Sequence, residues 1–212
     1  MIHRFVLSVL SLFLILGVRA QEVRSPDGAI AVTLSLEAGA LTYQVTHAGH
    51  LMLEPSPLGL ETSLGSFATG LQAAGTSTAK IDERYTLPHG KVRDVHYVAN
   101  ELTARFTNAE GHRLEVIFRV SDRDVAFAYR IAGKKDEQRI VVQREHTGFN
   151  FPAAATSFAT WQAKPGDGWM ASKPSYEEDY FIDEAVGKKS PTGLGFTFPA
   201  LFRIGGNGWV LV

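Results

Sequence analysis

The 212-residue chain carries 21 lysine and arginine residues against 22 aspartate and glutamate, a formal net charge of -1. That balance gives no electrostatic case for binding nucleic acid or an anionic membrane surface. There is no cysteine, so no disulfide framework is available and an apolar core must hold the fold by itself.

The first residues set the compartment. Met1-Ile-His-Arg4 is a short basic start, Phe5 to Val18 is uncharged and mostly apolar, and Val18-Arg19-Ala20 supplies small residues before a cleavage point. This is the three-part pattern of a secretory signal peptide over residues 1–20. The apolar run falls short of the roughly 20 residues that an anchor needs. No later stretch is apolar and long enough to span a membrane after cleavage. Residues 21–212 remain, 192 of 212 (212 − 20), as a secreted or periplasmic domain large enough for a sizeable core.

The mature part opens on a turn, Pro26-Asp-Gly28, followed by a clean period of two. Ile30, Val32, Leu34 and Leu36 share one face, and Ala31, Thr33 and Ser35 the other. After Glu37-Ala-Gly-Ala40 the alternation resumes at Leu41, Tyr43 and Val45, and a third strand is expected at Leu51 to Leu53 beyond His47-Ala-Gly-His50. This predicts an antiparallel meander with one face buried. Tyr85 to Lys91 reads as a loop. Leu102, Ala104 and Phe106, then Leu114, Val116, Phe118 and Val120, then Val125, Phe127, Tyr129 and Ile131 form three further faces. Polar turns at Asn108–Gly111 and Ser121–Asp124 join them, and Ile140 to Gln143 is expected to add a strand.

The one helical candidate is Ala153 to Trp161, short and weakly amphipathic. Gln162 to Pro174 reads as a second loop. Phe196 to Phe202 and Gly208 to Val212 are strand-like, and the chain stops within the latter without a polar tail. Many short strands and twenty glycines predict one all-β domain, a sandwich or barrel, cut short at its C-terminal end.

Candidate chemistry is sparse. The histidines lack a ligand spacing, and His47 and His50 are placed in solvent across a hairpin turn. There is no Gly-x-Ser-x-Gly elbow and no phosphate-binding glycine loop. Five acids fall within eight positions, at Glu177, Glu178, Asp179, Asp183 and Glu184. Such a run can supply the carboxylate pair of glycoside hydrolysis, about 5 to 10 Å apart, or oxygen ligands for calcium. It equally suits a solvated acidic loop. The nearby rings of Trp161, Trp169, Tyr176, Tyr180 and Phe181 suit either stacking on sugar faces or a packed interface.

Several ordered segments carry a family resemblance. They are Ser25-Pro-Asp-Gly28, Glu54-Pro-Ser-Pro-Leu-Gly-Leu60, Tyr85-x-Leu-Pro-x-Gly-Lys91, Asn100-Glu-Leu102, and Phe118-Arg119 with Asp124-Val-Ala-Phe127. Glu145-x-Thr-x-Phe-x-Phe151, Ser175-Tyr-Glu-x-x-Tyr180, Phe198-Pro-Ala-Leu-Phe202 and Trp209 complete the series. Together the mature chain resembles the N-terminal region of glycoside hydrolase family 97.

That resemblance implies an antiparallel β-supersandwich like that of galactose mutarotases, followed in the parent protein by a catalytic (β/α)8 barrel. It implies hydrolysis of α-glucosides or α-galactosides by the barrel, with calcium at the site. The sandwich is then non-catalytic: it packs on the barrel and lends a calcium-ligand glutamate, Glu177 by motif position, with Glu178 as the alternative. The barrel lies beyond Val212, so this chain alone is expected to be inactive. Two other functions fit the residues. A stand-alone carbohydrate-binding sandwich would stack an oligosaccharide substrate on Trp161, Trp169 and Tyr180. A mutarotase-type sugar epimerase would need a histidine and a carboxylate facing one pocket, for which His96 and His146 are the candidates.

Overall fold

Strict alternation of apolar and polar residues leaves a chain one economical solution, which is to pair as sheets and pack their apolar faces together. The computed structural model describes residues 19–132, 139–164, 166 and 180–212. Among them there is no helix, and every strand pairing is antiparallel.

Strands β1 (Arg19–Arg24), β2 (Ile30–Glu37), β3 (Ala40–His47) and β4 (His50–Leu58) form the first sheet in that spatial order. Short strands β5 (Leu60–Thr62) and β6 (Gly65–Ser66) follow. Then β7 (Gln72–Thr86), β8 (Asp94–Thr107), β9 (Arg113–Ser121) and β10 (Val125–Ala132) build the second sheet, ordered β10-β9-β8-β7. β11 (Val142–Glu145) returns to pair with β5. A third four-stranded sheet contains β12 (Ala155–Thr160), β13 (Tyr180–Ala185), β14 (Leu201–Ile204) and β15 (Trp209–Leu211), ordered β13-β12-β14-β15.

The first two sheets close on each other as a sandwich. Val32, Leu34 and Tyr43 from one meet Leu102, Phe106, Leu114, Val116 and Phe118 from the other, all buried. At its centre Tyr43, Phe118 and Phe127 stand with ring centroids 5.7 to 5.8 Å apart. The Tyr43 hydroxyl donates to the Gly148 carbonyl at 3.1 Å, which satisfies the one polar atom in this aromatic cluster. Burial pushes the Tyr43 phenol far above its usual range, so it stays a neutral donor.

The hairpin turns show why glycine sits where it does. β2 and β3 are joined by Ala38 and Gly39, at φ 48° and 80°, a pair of left-handed residues that matches the strand twist. A Cβ on Gly39 would lie 2.8 Å from the Gly70 nitrogen and 2.9 Å from its Cα. The next hairpin repeats the geometry at Ala48 and Gly49, but nothing lies within 4 Å of a Cβ there. Gly49→Ala is therefore expected to cost about 1 kcal/mol, the left-handed penalty alone. Gly39→Ala is expected to cost about 2 kcal/mol or more, because backbone must also move. Urea midpoints of the two variants check the difference.

The expected meander and the polar turns at Asn108–Gly111 and Ser121–Asp124 are present, and His47 and His50 lie exposed across their turn. Three expectations are corrected. Residues 153–161 are not helical: β12 occupies Ala155–Thr160, held between β13 and β14. Its alanines favour a helix locally, but ladders on both sides outweigh that preference. Tyr85 and Thr86 still belong to β7, and the turn runs from Leu87, whose N–H reaches the Arg93 carbonyl at 2.7 Å. The strand expected at Ile140 starts instead at Val142. The rest of the loop expected over residues 162–174 lies mostly outside the described residues.

Candidate functional site

The third sheet has two dissimilar faces. Inward, Ala155 and Ile204 are buried with Met52 of β4, and Phe151, Phe202 and Val210 pack against them. Phe151 and Phe202 stack with centroids 3.8 Å apart. Side chains alternate along a strand, so the register sets Thr156, Phe158, Leu201, Arg203, Trp209 and Leu211 on the opposite face. Phe158 and Trp209 meet there at 5.5 Å. That outer face remains open: Trp209 is 54% exposed, Leu211 68% and Tyr180, at the start of β13, 61%.

An ion pair is set into this face. Arg203 Nη2 donates to both Asp183 oxygens at 2.6 and 2.5 Å, and its Nε to Oδ1 at 3.0 Å. The Thr156 hydroxyl also donates to Asp183 Oδ1. Asp183 sits at φ 60°, beside the register shift between Ser157 and Ala159. Aspartate tolerates that left-handed geometry better than most residues. The Thr156 hydrogen bond, and then Arg203, hold its carboxyl below the usual carboxylate range. A carboxyl depressed in the folded state stabilises above its unfolded pKa, and that contribution disappears as pH falls through the folded value. The Tm of Asp183→Asn should thus lie below that of the parent at neutral pH and converge with it once the pH has fallen through the lowered folded-state value. Thermal melts across that range check the sign.

Two clefts adjoin the sheet. One of about 880 Å³ lies between β3, β4, β10 and β15, with Tyr43, Met52, Phe127 and Phe149 in its walls and His47 and Asp122 also lining it. The other, about 420 Å³, is lined by Phe151, Phe196, Phe198, Phe202 and Lys188 among others. Both clefts are chiefly apolar, suited to receiving apolar side chains rather than to acid–base work.

The sequence candidates fall in several places. Trp161 is half-buried, 5.4 Å from Phe181, and bridges Phe196 through its backbone. The Lys188 ammonium lies 4.8 Å from the Phe181 ring centroid. Tyr180 neighbours Phe181 on the strand and so points to the opposite face; it does not share a surface with Trp161. Trp169, Glu177 and Glu178 lie outside the described residues. His96 and His146 each have a carboxylate partner, Asp82 and Glu61, at 2.7 Å, but the two pairs are on separate sheets and line neither cleft. Among the described residues, no three His, Asp or Glu side chains converge as a metal site.

The outer face of the third sheet and the Arg203–Asp183 pair went unread in the sequence. The signal was present: Leu201-Phe-Arg-Ile204 and Trp209-Val-Leu211 place apolar residues on both sides of a strand. An antiparallel strand with one solvated face alternates apolar with polar residues, so apolar residues on both sides mark a departure from that pattern.

Residues 23–212, which contain both clefts and the whole third sheet, match the family described as Glycosyl-hydrolase 97 N-terminal. The chain belongs to that family. A probable retaining alpha-galactosidase of Streptomyces bingchenggensis (strain BCW-1) is 34% identical over 174 residues, covering 82% of this chain and 25% of its own length. A crystal structure of a beta-arabinopyranosidase superposes with a TM-score of 0.85 at 43% identity, covering 90% of this chain and 31% of that one. A Glycoside Hydrolase Family 97 enzyme from Pseudoalteromonas sp. strain K8, in complex with panose, superposes with a TM-score of 0.71 at 22% identity, covering 87% and 27%. The last likeness shows the fold alone. The family 97 sandwich described here thus spans about a quarter of the length of the curated relatives it matches.

Proposed function

We propose that this family 97 N-terminal sandwich is a non-catalytic docking module for a (β/α)8 catalytic barrel in a longer parent protein. The observation that carries the reading is the outer face of the third sheet, where Trp209, Leu211 and Tyr180 stand exposed around the Arg203–Asp183 pair. Exposed apolar surface of this kind, with aromatics and an arginine, has the composition of an interface. The parent acts on a terminal galactose- or arabinopyranose-type sugar, a reading supported by the names of relatives 34% and 43% identical to this chain. The intact parent should release p-nitrophenol from an α-galactoside or a β-arabinopyranoside, and residues 21–212 alone should not. Hydrolysis by residues 21–212 would overturn the assignment.

Calcium enters through Glu177, with Glu178 as the alternative, just before Tyr180 opens β13 at the edge of the same sheet. Calcium takes about six to eight oxygen ligands. The described residues supply no converging set, so the barrel would contribute most of the coordination. Calorimetric titration of the intact protein with calcium is expected to show at least about tenfold weaker binding in Glu177→Gln or Glu178→Gln; unchanged affinity in both would remove the sandwich from the site. Export follows from the N-terminal pattern, and cleavage after Ala20 leaves Gln21 to Arg24 in β1 opposite Leu34 to Ala31. N-terminal sequencing of the exported protein should therefore begin at Gln21.

A further inference from the structure

The second sheet ends on an unusual edge. β7 runs from Gln72 to Thr86 and pairs with β8 on one side; among the described residues no strand pairs with its other side. Its side chains are exposed along the whole strand except at Ile81, which is half-buried. After a register shift between Ala73 and Gly75, the ladder to β8 is regular from Thr76 opposite Ala104 to Thr86 opposite Asp94. An open edge of this length is a template for another strand.

Charged residues usually blunt such an edge, but the charges of β7 are self-complementary. Lys80, Asp82 and Arg84 alternate with Ile81, Glu83 and Tyr85. Consider a second β7 laid antiparallel along the first, related by a two-fold axis through Ile81 and normal to the sheet. Opposed residues then share a face, as an antiparallel ladder requires. Lys80 stands opposite the second copy's Asp82, and Asp82 opposite its Lys80. Glu83 meets Ala79, Arg84 meets Thr78, and Ile81 meets its own copy. No like charges face each other. Moving the axis to Lys80, Asp82, Glu83 or Arg84 places each of those charges against itself. Asp82 Oδ1 lies 2.7 Å from His96 Nε2, which leaves its second oxygen for the lysine.

We propose that β7 is a homodimerisation edge, through which two copies of this protein join their second sheets into one continuous antiparallel sheet centred on Ile81. The contact is isologous, with the same strand on both partners, as closed two-fold assemblies require. Main-chain hydrogen bonds between the strands give affinity, and the two Lys80–Asp82 pairs fix the register.

The test uses the intact protein in sedimentation velocity. The parent should dimerise, and Lys80→Asp or Asp82→Lys should each raise the dimer dissociation constant by at least about tenfold. The double variant K80D/D82K exchanges the charges and should restore dimerisation. Both positions are solvent-exposed, so folding is preserved. Residues 1–212 hold no cysteine, so Ile81→Cys, read against the unsubstituted intact protein, gives a second readout. Mild oxidation should link Ile81→Cys into a disulfide dimer, whereas Ala79→Cys, opposite Glu83, should stay uncrosslinked. A monomer up to about 100 µM, a dimer indifferent to both charge reversals, or equal crosslinking at positions 79 and 81 would each overturn the proposal.

Discussion

Replacing Phe118 by alanine is expected to lower the unfolding free energy by about 3–5 kcal/mol. Phe118 is fully buried on β9, at the plane where the first two sheets meet. Truncation leaves a cavity bordered by Tyr43 and Phe127, each of which loses a ring partner less than 6 Å away. Aromatic pairs contribute about 0.5–1.5 kcal/mol beyond burial, and a pleated core between two ladders cannot easily collapse into the space. That loss is a large share of the roughly 5–15 kcal/mol that holds a domain folded. Urea unfolding followed by tyrosine and tryptophan fluorescence reads it. A loss below about 1 kcal/mol would mean that the sandwich is not centred on this cluster.

The second large effect is expected at the opposite kind of position, an exposed one. In the intact parent protein, Trp209→Asp and Leu211→Asp should each cost about 2–4 kcal/mol of coupling between the sandwich and the rest of the polypeptide. Each substitution would bury a carboxylate where an apolar side chain had docked. Val92→Asp is the matched control: Val92 is 60% exposed, in the turn between β7 and β8, and its replacement should change stability by less than about 0.5 kcal/mol. Differential scanning calorimetry of the three variants separates the cases. If Trp209→Asp behaved like Val92→Asp, the outer face of the third sheet would be ordinary surface.

The difference between these two sites explains how much of the molecule could be read from sequence. The sandwich was legible because its strands face solvent on one side. Val32, Leu34 and Leu41, Tyr43 alternate with Thr33, Ser35 and Thr42, Gln44, and the period of two names both the element and its buried face. β7 was not legible. Its first half, Gln72 to Ala79, is small and polar, and an edge strand exposed on both sides leaves no alternation to detect. β12 was misread for the complementary reason. Ala155, Ala159 and the residues between them carry weak local preference, and the ladders to β13 and β14 come from residues twenty or more positions away.

The candidate site was harder because it depends on parity. Whether Tyr180 shares a surface with Trp161 turns on which neighbour of each residue points inward. That is fixed by the pairing of Thr160 with Tyr180 and of Ala159 with Phe181, not by composition. Likewise, nothing local joins Asp183 to Arg203; the register between β12 and β14 brings Arg203 beside Thr156, and the Thr156–Asp183 hydrogen bond completes the group. The family motifs located the domain along the whole chain, but they name segments, and a segment does not specify a face.

The docking role of the third sheet is tested most directly by hydroxyl-radical footprinting of the intact parent protein. Within this chain Trp209 is 54% and Leu211 68% exposed, against 40% for Leu87 in the β7–β8 turn. If the rest of the polypeptide covers the face, Trp209 and Leu211 should be oxidised several-fold more slowly than their exposure here implies, with Leu87 reacting normally. Oxidation of Trp209 and Leu211 at the rates of free surface residues would contradict the docking role.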